Sequence, residues 1–597
     1  MSCGALVCAA AAAVVVGSGA FASPGDAWRD KVDGSVLTAA AAGPTEFFVA
    51  LEQKANLAGA TALATRPEKA RYVYEQLTSV AAQSQGPLLA DLRAAGVQAR
   101  SFWITNGVLV TGDSELLQTI ASRPEVSHVY ANPSGKLDPP IRVSAAGDSM
   151  RTRSVVTAVE PNLVRVRADQ VWALGYTGQG AVVAGADTGV FWEHNALKSK
   201  YRGWNGASAS HDYNWHDAVH HPNTGCPGSS PVPCDDDELL GGGHGTHTMG
   251  TVVGDDGGAN KIGMAPGARW MACRNMNNGV GEGIAGYLEC MEWFIAPTKI
   301  DGTAPDPSKS PDVINNSWGC VEACPPPLLQ DTLQASRAAG IFYSVSAGNE
   351  GPECNTLQFP LARYPEAFTV GSTTWTTDTI SDFSSRGPVL GDPNAPNGLR
   401  KPDISAPGSN VRSSVRDGTY DNLSGTSMAS PHVTGLVALI ISAKPSLAGN
   451  VGQIEDIIEQ TAVPKTTTEG CGGDSATAVP NNTYGFGRID ALAAVQKALQ
   501  VPTAVGVVRF SARLTKRGVV SLAWRTGSEQ QLAGFDVFRR GVKVNRTLIA
   551  AKNGGRARGA NYQFVDRFGS TRSTYRLRLV DLNGKRSWFG KSVRPVR

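Results

Sequence analysis

Apolar positions recur along this chain in three successive rhythms, and each predicts a different unit. Between residues 44 and 132 they run strand-like over Glu46–Leu51, then with helical spacing over Pro67–Ala95, where Tyr72, Leu77, Val80, Leu88 and Leu92 hold apolar positions. Strand, helix and strand follow at Ser101–Val110, Ser114–Ser122 and Val126–Tyr130, which predicts an α+β unit with an antiparallel sheet backed by two helices. From about 161 to 500, short apolar strands at Ala181–Ala186, Asp312–Asn315, Ile341–Ser346 and Phe368–Val370 alternate with helices at Thr246–Val253, Leu328–Ala339 and Ser427–Ala443. Alternation on that scale predicts an α/β fold with a mostly parallel sheet and helices on both faces. Over 501–597 the helical spacing is lost, and Val519–Trp524, Gly534–Phe538 and Tyr575–Val580 alternate between Gly- and Asn-containing turns, as in a small β-sandwich. Residues 133–160, with Pro139-Pro140, Arg142, Arg151 and Arg153, form a linker open to cleavage.

Length agrees with several units, because 597 residues exceed what one core accommodates. The 41% hydrophobic content excludes wholesale disorder. The formal charge of +3 hides a division: residues 501–597 carry 21 Lys and Arg against 4 Asp and Glu, a net of +17, and the rest of the chain 34 against 48, a net of −14.

Residues 1–22 contain an apolar run from Ala5 to Val16, too short to span a bilayer, then small residues ending in Ala20-Phe21-Ala22. They read as a cleaved secretory signal, and no later segment is expected to be long and apolar enough to cross a membrane. Loss of the signal would remove Cys3 and Cys8 and leave eight cysteines, an even set that in an oxidising compartment reads as disulfides. The close pairs Cys226/Cys234 and Cys320/Cys324 suggest local loops; the connectivity otherwise stays open.

Hydrolysis of an unactivated acyl bond needs a nucleophile, a base, a carboxylate to orient the base and donors for the oxyanion. Four loops offer these groups. Asp187-Thr188-Gly189 follows a strand, where a carboxylate stands at the C-terminal edge of a parallel sheet, although a turn Asp would look alike. His244 lies in the glycine-rich run Gly241–His247 ahead of a helix. Asn349, in Ser346-Ala347-Gly348-Asn349-Glu350-Gly351, offers an amide donor, and Ser427, in Gly425–His432, opens an apolar helix as a bare N-cap serine also would.

Together, Asp187-Thr188-Gly189, His244-Gly245-Thr246-His247 and Gly425-Thr426-Ser427-Met428-Ala429, in that order, resemble the motifs of the subtilases, the subtilisin-like serine proteases. Phe383–Gly387 and Lys401–Gly408 extend the resemblance, which covers roughly residues 160 to 500. Lys198–Trp204, Cys273–Met276 and Glu292–Pro297 look closest to the bacillopeptidase F type. The resemblance implies a serine endopeptidase working through an acyl-enzyme, with Ser427 as nucleophile, His244 as base and then acid, Asp187 orienting it, and Asn349 as oxyanion donor. His247 would be a packing residue. Ser317-Trp318-Gly319 and Ser346-Ala347-Gly348 resemble the two segments that bind a peptide as an added strand. Glu350 beside Asn349 would favour a basic side chain before the scissile bond. Residues 44–132 resemble an inhibitory propeptide through Phe47–Leu51 and Pro124-Glu125-Val126, so the chain would be a secreted zymogen held by its own N-terminal unit; a permanent accessory domain is the alternative.

No cofactor is required by this chemistry. Calcium stays an unassigned option: many subtilases carry a ligating Asp two residues after the His that follows the catalytic Asp, but here His194 precedes Asn195 and Ala196. Asp235–Glu238 and Asp255-Asp256 offer hard oxygen ligands elsewhere. A rival reading takes His211, His216, His220, His221, His244 and His247 as a zinc cluster for metal-dependent hydrolysis, but no His-Glu-x-x-His occurs and the Ser427 and Asn349 loops are left unexplained. The basic C-terminal module, similar to fibronectin type III domains, presents either a polyanion-binding face or a solubilising surface.

Overall fold

The computed structural model describes residues 27–132, 159–221, 225–237, 242–319, 326–392, 395–501, 507–527, 529, 532–554, 559–582, 584 and 586–596. The expected leader, nearly all of the linker, Glu238, Gly241, Cys320 and Cys324 lie outside the described residues. Contacts divide the chain into a smaller unit, residues up to 54, 80–102 and 106–132, and a larger one, residues 55–79, 103–105 and from 133 onward.

The smaller unit is built on a four-stranded antiparallel sheet in the order Ala99–Phe102, Gly107–Gly112, Thr45–Leu51, Val126–Ala131. The continuous strand expected over Ser101–Val110 is a hairpin instead. Asn106 takes a left-handed φ of 54° and Phe102 pairs with Gly107, so an Asn-Gly step closes the turn. The core also begins earlier than residue 44: Trp28, Val32, Val36 and Ala40, from the turn Ala27–Lys31 and the helix Gly34–Ala42, are buried with Phe47, Val49 and Val129.

In the larger unit a seven-stranded sheet runs in the order Ile404–Ser409, Phe368–Thr374, Phe342–Ser346, Val313–Asn316, Val182–Asp187, Arg269–Arg274, Trp215–Asp217, with every pair parallel. The strands are buried almost end to end, as expected when helices cover both faces. Strand order reverses at Val182–Asp187, whose neighbours are later strands on both sides, and such a switch point opens a crevice at the C-terminal edge of the sheet. The helices His244–Val253 and Thr426–Ala443 begin at that edge's loops. Thr426–Ala443 has the length and apolarity to cross a bilayer, contrary to the expectation for this chain, but it is 94% buried inside the fold, as a core helix against the sheet.

Residues 55–79 cluster within this unit, where Arg66 Nε donates to Asp312 Oδ1 at 2.8 Å and Lys69 Nζ to the Gly449 carbonyl at 2.6 Å. The C-terminal module is the expected sandwich. Val507–Leu514, Val520–Thr526 and Asn561–Asp566 form one antiparallel sheet, and Leu532–Arg539, Tyr575–Asp581 and Arg586–Val593, with short flanking strands, form the other. Between them Trp524 stacks on Tyr562 with ring centroids 5.3 Å apart. The disulfides Cys226–Cys234, Cys273–Cys290 and Cys354–Cys471 join the described cysteines.

Candidate active site

Asp187 closes its strand at the switch point and is 3% exposed. Its Oδ1 accepts from His244 Nδ1 at 2.8 Å and from the Thr188 amide at 2.8 Å. His244 is fully buried and is the first residue of its helix rather than part of the preceding loop; Gly243 before it has φ 116°, which an L side chain would resist. Burial pulls the imidazolium pKa down, but the Asp187 charge and hydrogen bond, with the charges of Asp237 and Asp235, outweigh it and hold the pKa above the usual histidine value.

The acidic run before the histidine loop supports this geometry. Asp237 Oδ2 accepts from the His244 amide at 2.8 Å and the Gly243 amide at 3.3 Å, capping the helix start. Asp235 Oδ1 accepts from Thr188 Oγ1 at 2.9 Å and Asp235 Oδ2 from the Thr246 amide at 3.0 Å, tying the Asp187 turn to the same helix. Asp236 pairs with buried Arg274 at 2.7 Å, and Arg274 forks onto Asp217 at 2.8 and 2.9 Å. These oxygens, read from the sequence as open to calcium, are thus engaged by the protein. Ala196 is fully buried, so a methyl group rather than a carboxylate stands two residues after His194. Among the described residues no group of three His, Cys, Asp or Glu is arranged to hold a metal ion.

Ser427 is the second residue of its helix and is 3% exposed. Its Oγ donates to the Ser317 carbonyl at 3.1 Å, and Ser317 Oγ returns a bond to the Ser427 carbonyl at 3.0 Å. Ala186 and Asn316 are paired on adjacent strands, so Asp187 and Ser317 follow them side by side. Ser317, whose carbonyl holds Ser427, therefore stands about one strand spacing, ~4.8 Å, from Asp187 in the backbone. His244 Nε2 is buried without a partner among the described residues, and the hydrogen bond from Ser427 to it is unmade in this conformation. Catalytic hydrogen bonds of this kind commonly tighten only with substrate present.

Asn349 follows the strand Phe342–Ser346 and Gly348, whose φ is 100°. Its Oδ1 accepts from the Thr426 amide at 2.9 Å and Thr426 Oγ1 at 3.0 Å, so its Nδ2 is turned the other way and finds no partner among the described residues. Thr426 also takes a bond from the Gly348 amide at 3.1 Å, which locks the Ser346-Ala347-Gly348 segment to the serine helix. Trp318 is buried and stacks on Tyr287 at 4.2 Å, and Gly319 lies where a Cβ would press on Phe359 Cβ at 2.9 Å. Glu350 Oε2 accepts from Ser385 Oγ at 2.7 Å.

The histidines weighed in the rival zinc reading are held by ordinary protein partners. His216 and His220 bond the two oxygens of Glu289 at 2.7 and 2.9 Å, and His211 meets Tyr201 Oη at 3.0 Å. His247 donates from Nε2 to the Val411 and Asp421 carbonyls at 3.1 Å, and burial pushes its pKa down to about 3, leaving a neutral packing residue. Sequence reasoning missed Thr426 as the holder of Asn349 and Asp235 and Asp237 as supports of His244. The acidic run ahead of the histidine loop was the one available signal for the latter.

A profile of the subtilase family matches residues 178–487. Bacillopeptidase F of Bacillus subtilis (strain 168) is 37% identical over 473 residues, 76% of this chain but 30% of that protein, so the chain spans less than a third of its length. Subtilisin E of the same strain is 26% identical over 370 residues, 62% of this chain and 78% of the relative, and subtilisin DY of Bacillus licheniformis is 29% identical over 299 residues, 50% and 89%. With its buried Asp187–His244 pair, its serine at the mouth of a core helix and a family match across more than half its length, this chain belongs to the subtilase family.

Proposed function

We propose that this protein is a serine endopeptidase that cleaves peptide bonds through an acyl-enzyme. The observation that carries the reading is the buried 2.8 Å bond from His244 Nδ1 to Asp187, which fixes the imidazole tautomer and leaves Nε2 free to accept a proton. Ser427 Oγ attacks the scissile carbonyl carbon as its proton passes to His244 Nε2. The carbonyl oxygen, now an anion, takes hydrogen bonds from Asn349 Nδ2 and from the Ser427 amide, a first-turn N–H with no carbonyl of its own helix to bond. His244 then returns the proton to the departing amine. Water repeats the sequence to release the acid product and restore the serine. No step calls for a cofactor. The substrate main chain would lie along Ser317-Trp318-Gly319 and Ser346-Ala347-Gly348 as an added strand.

In this reading the chain is secreted after loss of residues 1–22, residues 44–132 are a folding aid and inhibitor, and cleavage falls between about 132 and 160. Support comes from the separate core of the N-terminal unit, the Arg66 and Lys69 bonds within the larger unit, and three disulfides, which persist in oxidising compartments. The C-terminal module, with its surplus of 17 positive charges, contacts polyanions. A serine-directed fluorophosphonate should label Ser427 and abolish peptide cleavage, while EDTA leaves cleavage intact. Labelling elsewhere, or undiminished cleavage in Ser427→Ala, would overturn the assignment.

A further inference from the structure

The four carboxylates of the C-terminal module are largely consumed inside it. Glu529 is fully buried and accepts from Thr526 Oγ1, Tyr562 Oη and the Asn553 amide, each at 2.6 Å. Asp536 is bracketed by Lys543 at 2.6 Å and Arg578 at 2.8 Å, and Asp566 by Arg539 and Tyr575, both at 2.8 Å. The charge presented outward is therefore nearly all positive.

One face concentrates it. In the sheet of Val507–Leu514, Val520–Thr526 and Asn561–Asp566, Arg509 stands opposite Arg525, and Arg513 opposite Ser521. Opposite residues share a face, so these three arginines point to solvent while Phe510, Trp524 and Tyr562 turn to the core. All three are exposed, and among the described residues none is in an ion pair. Their neighbours on the face, including Ser511, Asn561 and Gln563, carry no charge. Arg509 facing Arg525 is a like-charge cross-strand pair, which costs stability unless an anion lies between them. Arg509 and Arg513 are four residues apart on one strand, about 13 Å, so a single small anion cannot serve both, whereas a polymer with repeated negative groups can. Nucleic-acid bases find no platform here, since the face has no aromatic ring, and Trp588 on the other sheet has Arg576 and Arg578 over its own ring at 4.5 and 5.7 Å. Hydroxyl and amide groups between cations suit a chain of sugar rings bearing sulfate or carboxylate.

We propose that this face binds an acidic polysaccharide. The proposal rests on the polyanion reading of the module and narrows it to one surface and one polymer class. The test uses the full chain carrying Ser427→Ala, so that self-cleavage cannot release the module, on immobilised heparin (sulfated), alginate (carboxylated) and double-stranded DNA. Retention on at least one polysaccharide is expected, with release at roughly 1 M salt, where the screening length is about 3 Å. Arg509→Gln, Arg513→Gln and Arg525→Gln together should weaken binding at least about tenfold. The same positions changed to Lys should keep it, and Gln at Arg546, Arg572 and Lys591, exposed cations on loops and on the other sheet, should leave it within about twofold. Equal loss from both glutamine sets refutes the face. DNA held as strongly as either polysaccharide refutes the polymer class, and no retention on any matrix refutes the polyanion reading itself.

Discussion

His244 is neutral when it acts as a base, so the protonation that inactivates it sets the acid limb of the pH profile. Its pKa lies above the ordinary 6.5 because Asp187, Asp237 and Asp235 outweigh the effect of burial. kcat/KM is therefore expected to fall with decreasing pH along a limb centred above pH 6.5. Asp237→Asn keeps an oxygen for the helix cap but removes a charge, and should move that limb to lower pH. A pH–rate series, paired with NMR titration of His244 in the Ser427→Ala background, checks this, and a limb that stays put would show that Asp237 acts only as a cap. Thr426→Val removes the hydroxyl bonds to Asn349 and Gly348 while keeping the Thr426 amide. Loss of about 10- to 100-fold in kcat with little change in KM is expected from a loosened oxyanion donor.

The helix Thr426–Ala443 carries Ser427, and an ion-pair hub at Asp378 ties together segments distant in the chain. Gly435 faces Met264 so closely that a new Cβ would collide with its Cβ, so Gly435→Ala should destabilise by about 1–3 kcal/mol despite the higher helix propensity of alanine, a drop read by thermal unfolding. Asp378 is 2% exposed and is met by Arg165 at 2.7 Å, Lys465 at 3.1 Å and Arg488 at 3.0 Å. Burial alone would raise its pKa; hydrogen bonds and charges from those partners bring it down to about 2 from 3.8. A depressed acid contributes stability that is complete above the unfolded value and disappears as pH falls through about 2, here about 2 kcal/mol in all. Asp378→Asn should flatten that part of the stability curve between pH 4 and 2 in acid-unfolding measurements. Elements with a strong repeating pattern, such as Phe342–Ser346 and Thr426–Ala443, were legible within one residue at each end. The Ala99–Phe102 and Gly107–Gly112 hairpin was not, because an Asn-Gly turn inside an apolar run leaves the alternation almost intact.

For the molecule as a whole, the cross-links differ most in the length of chain they close. Cys354–Cys471 spans 117 residues, Cys273–Cys290 spans 17 and Cys226–Cys234 spans 8. Loop-closure entropy makes the first worth about 5 kcal/mol and the last about 2.5 kcal/mol. Paired Cys→Ala variants should lose thermal stability in that order. The short Cys226–Cys234 loop leads directly into Asp235–Asp237, so its removal should lower activity more than its small effect on stability implies.

The order of units, the parallel α/β character, the four candidate catalytic loops and the division of charge were set by the sequence alone. Periodicity, turn residues and motif text are local properties that survive in one dimension. What brings Asp187 beside His244, turns the Asn349 amide nitrogen away from Thr426, engages the acidic run with amides and Arg274, and gives the histidines protein partners of their own belongs to the tertiary structure. Those outcomes depend on which oxygen and nitrogen atoms meet once the strands reach register, across separations of tens to hundreds of residues, and no local pattern along the chain encodes them.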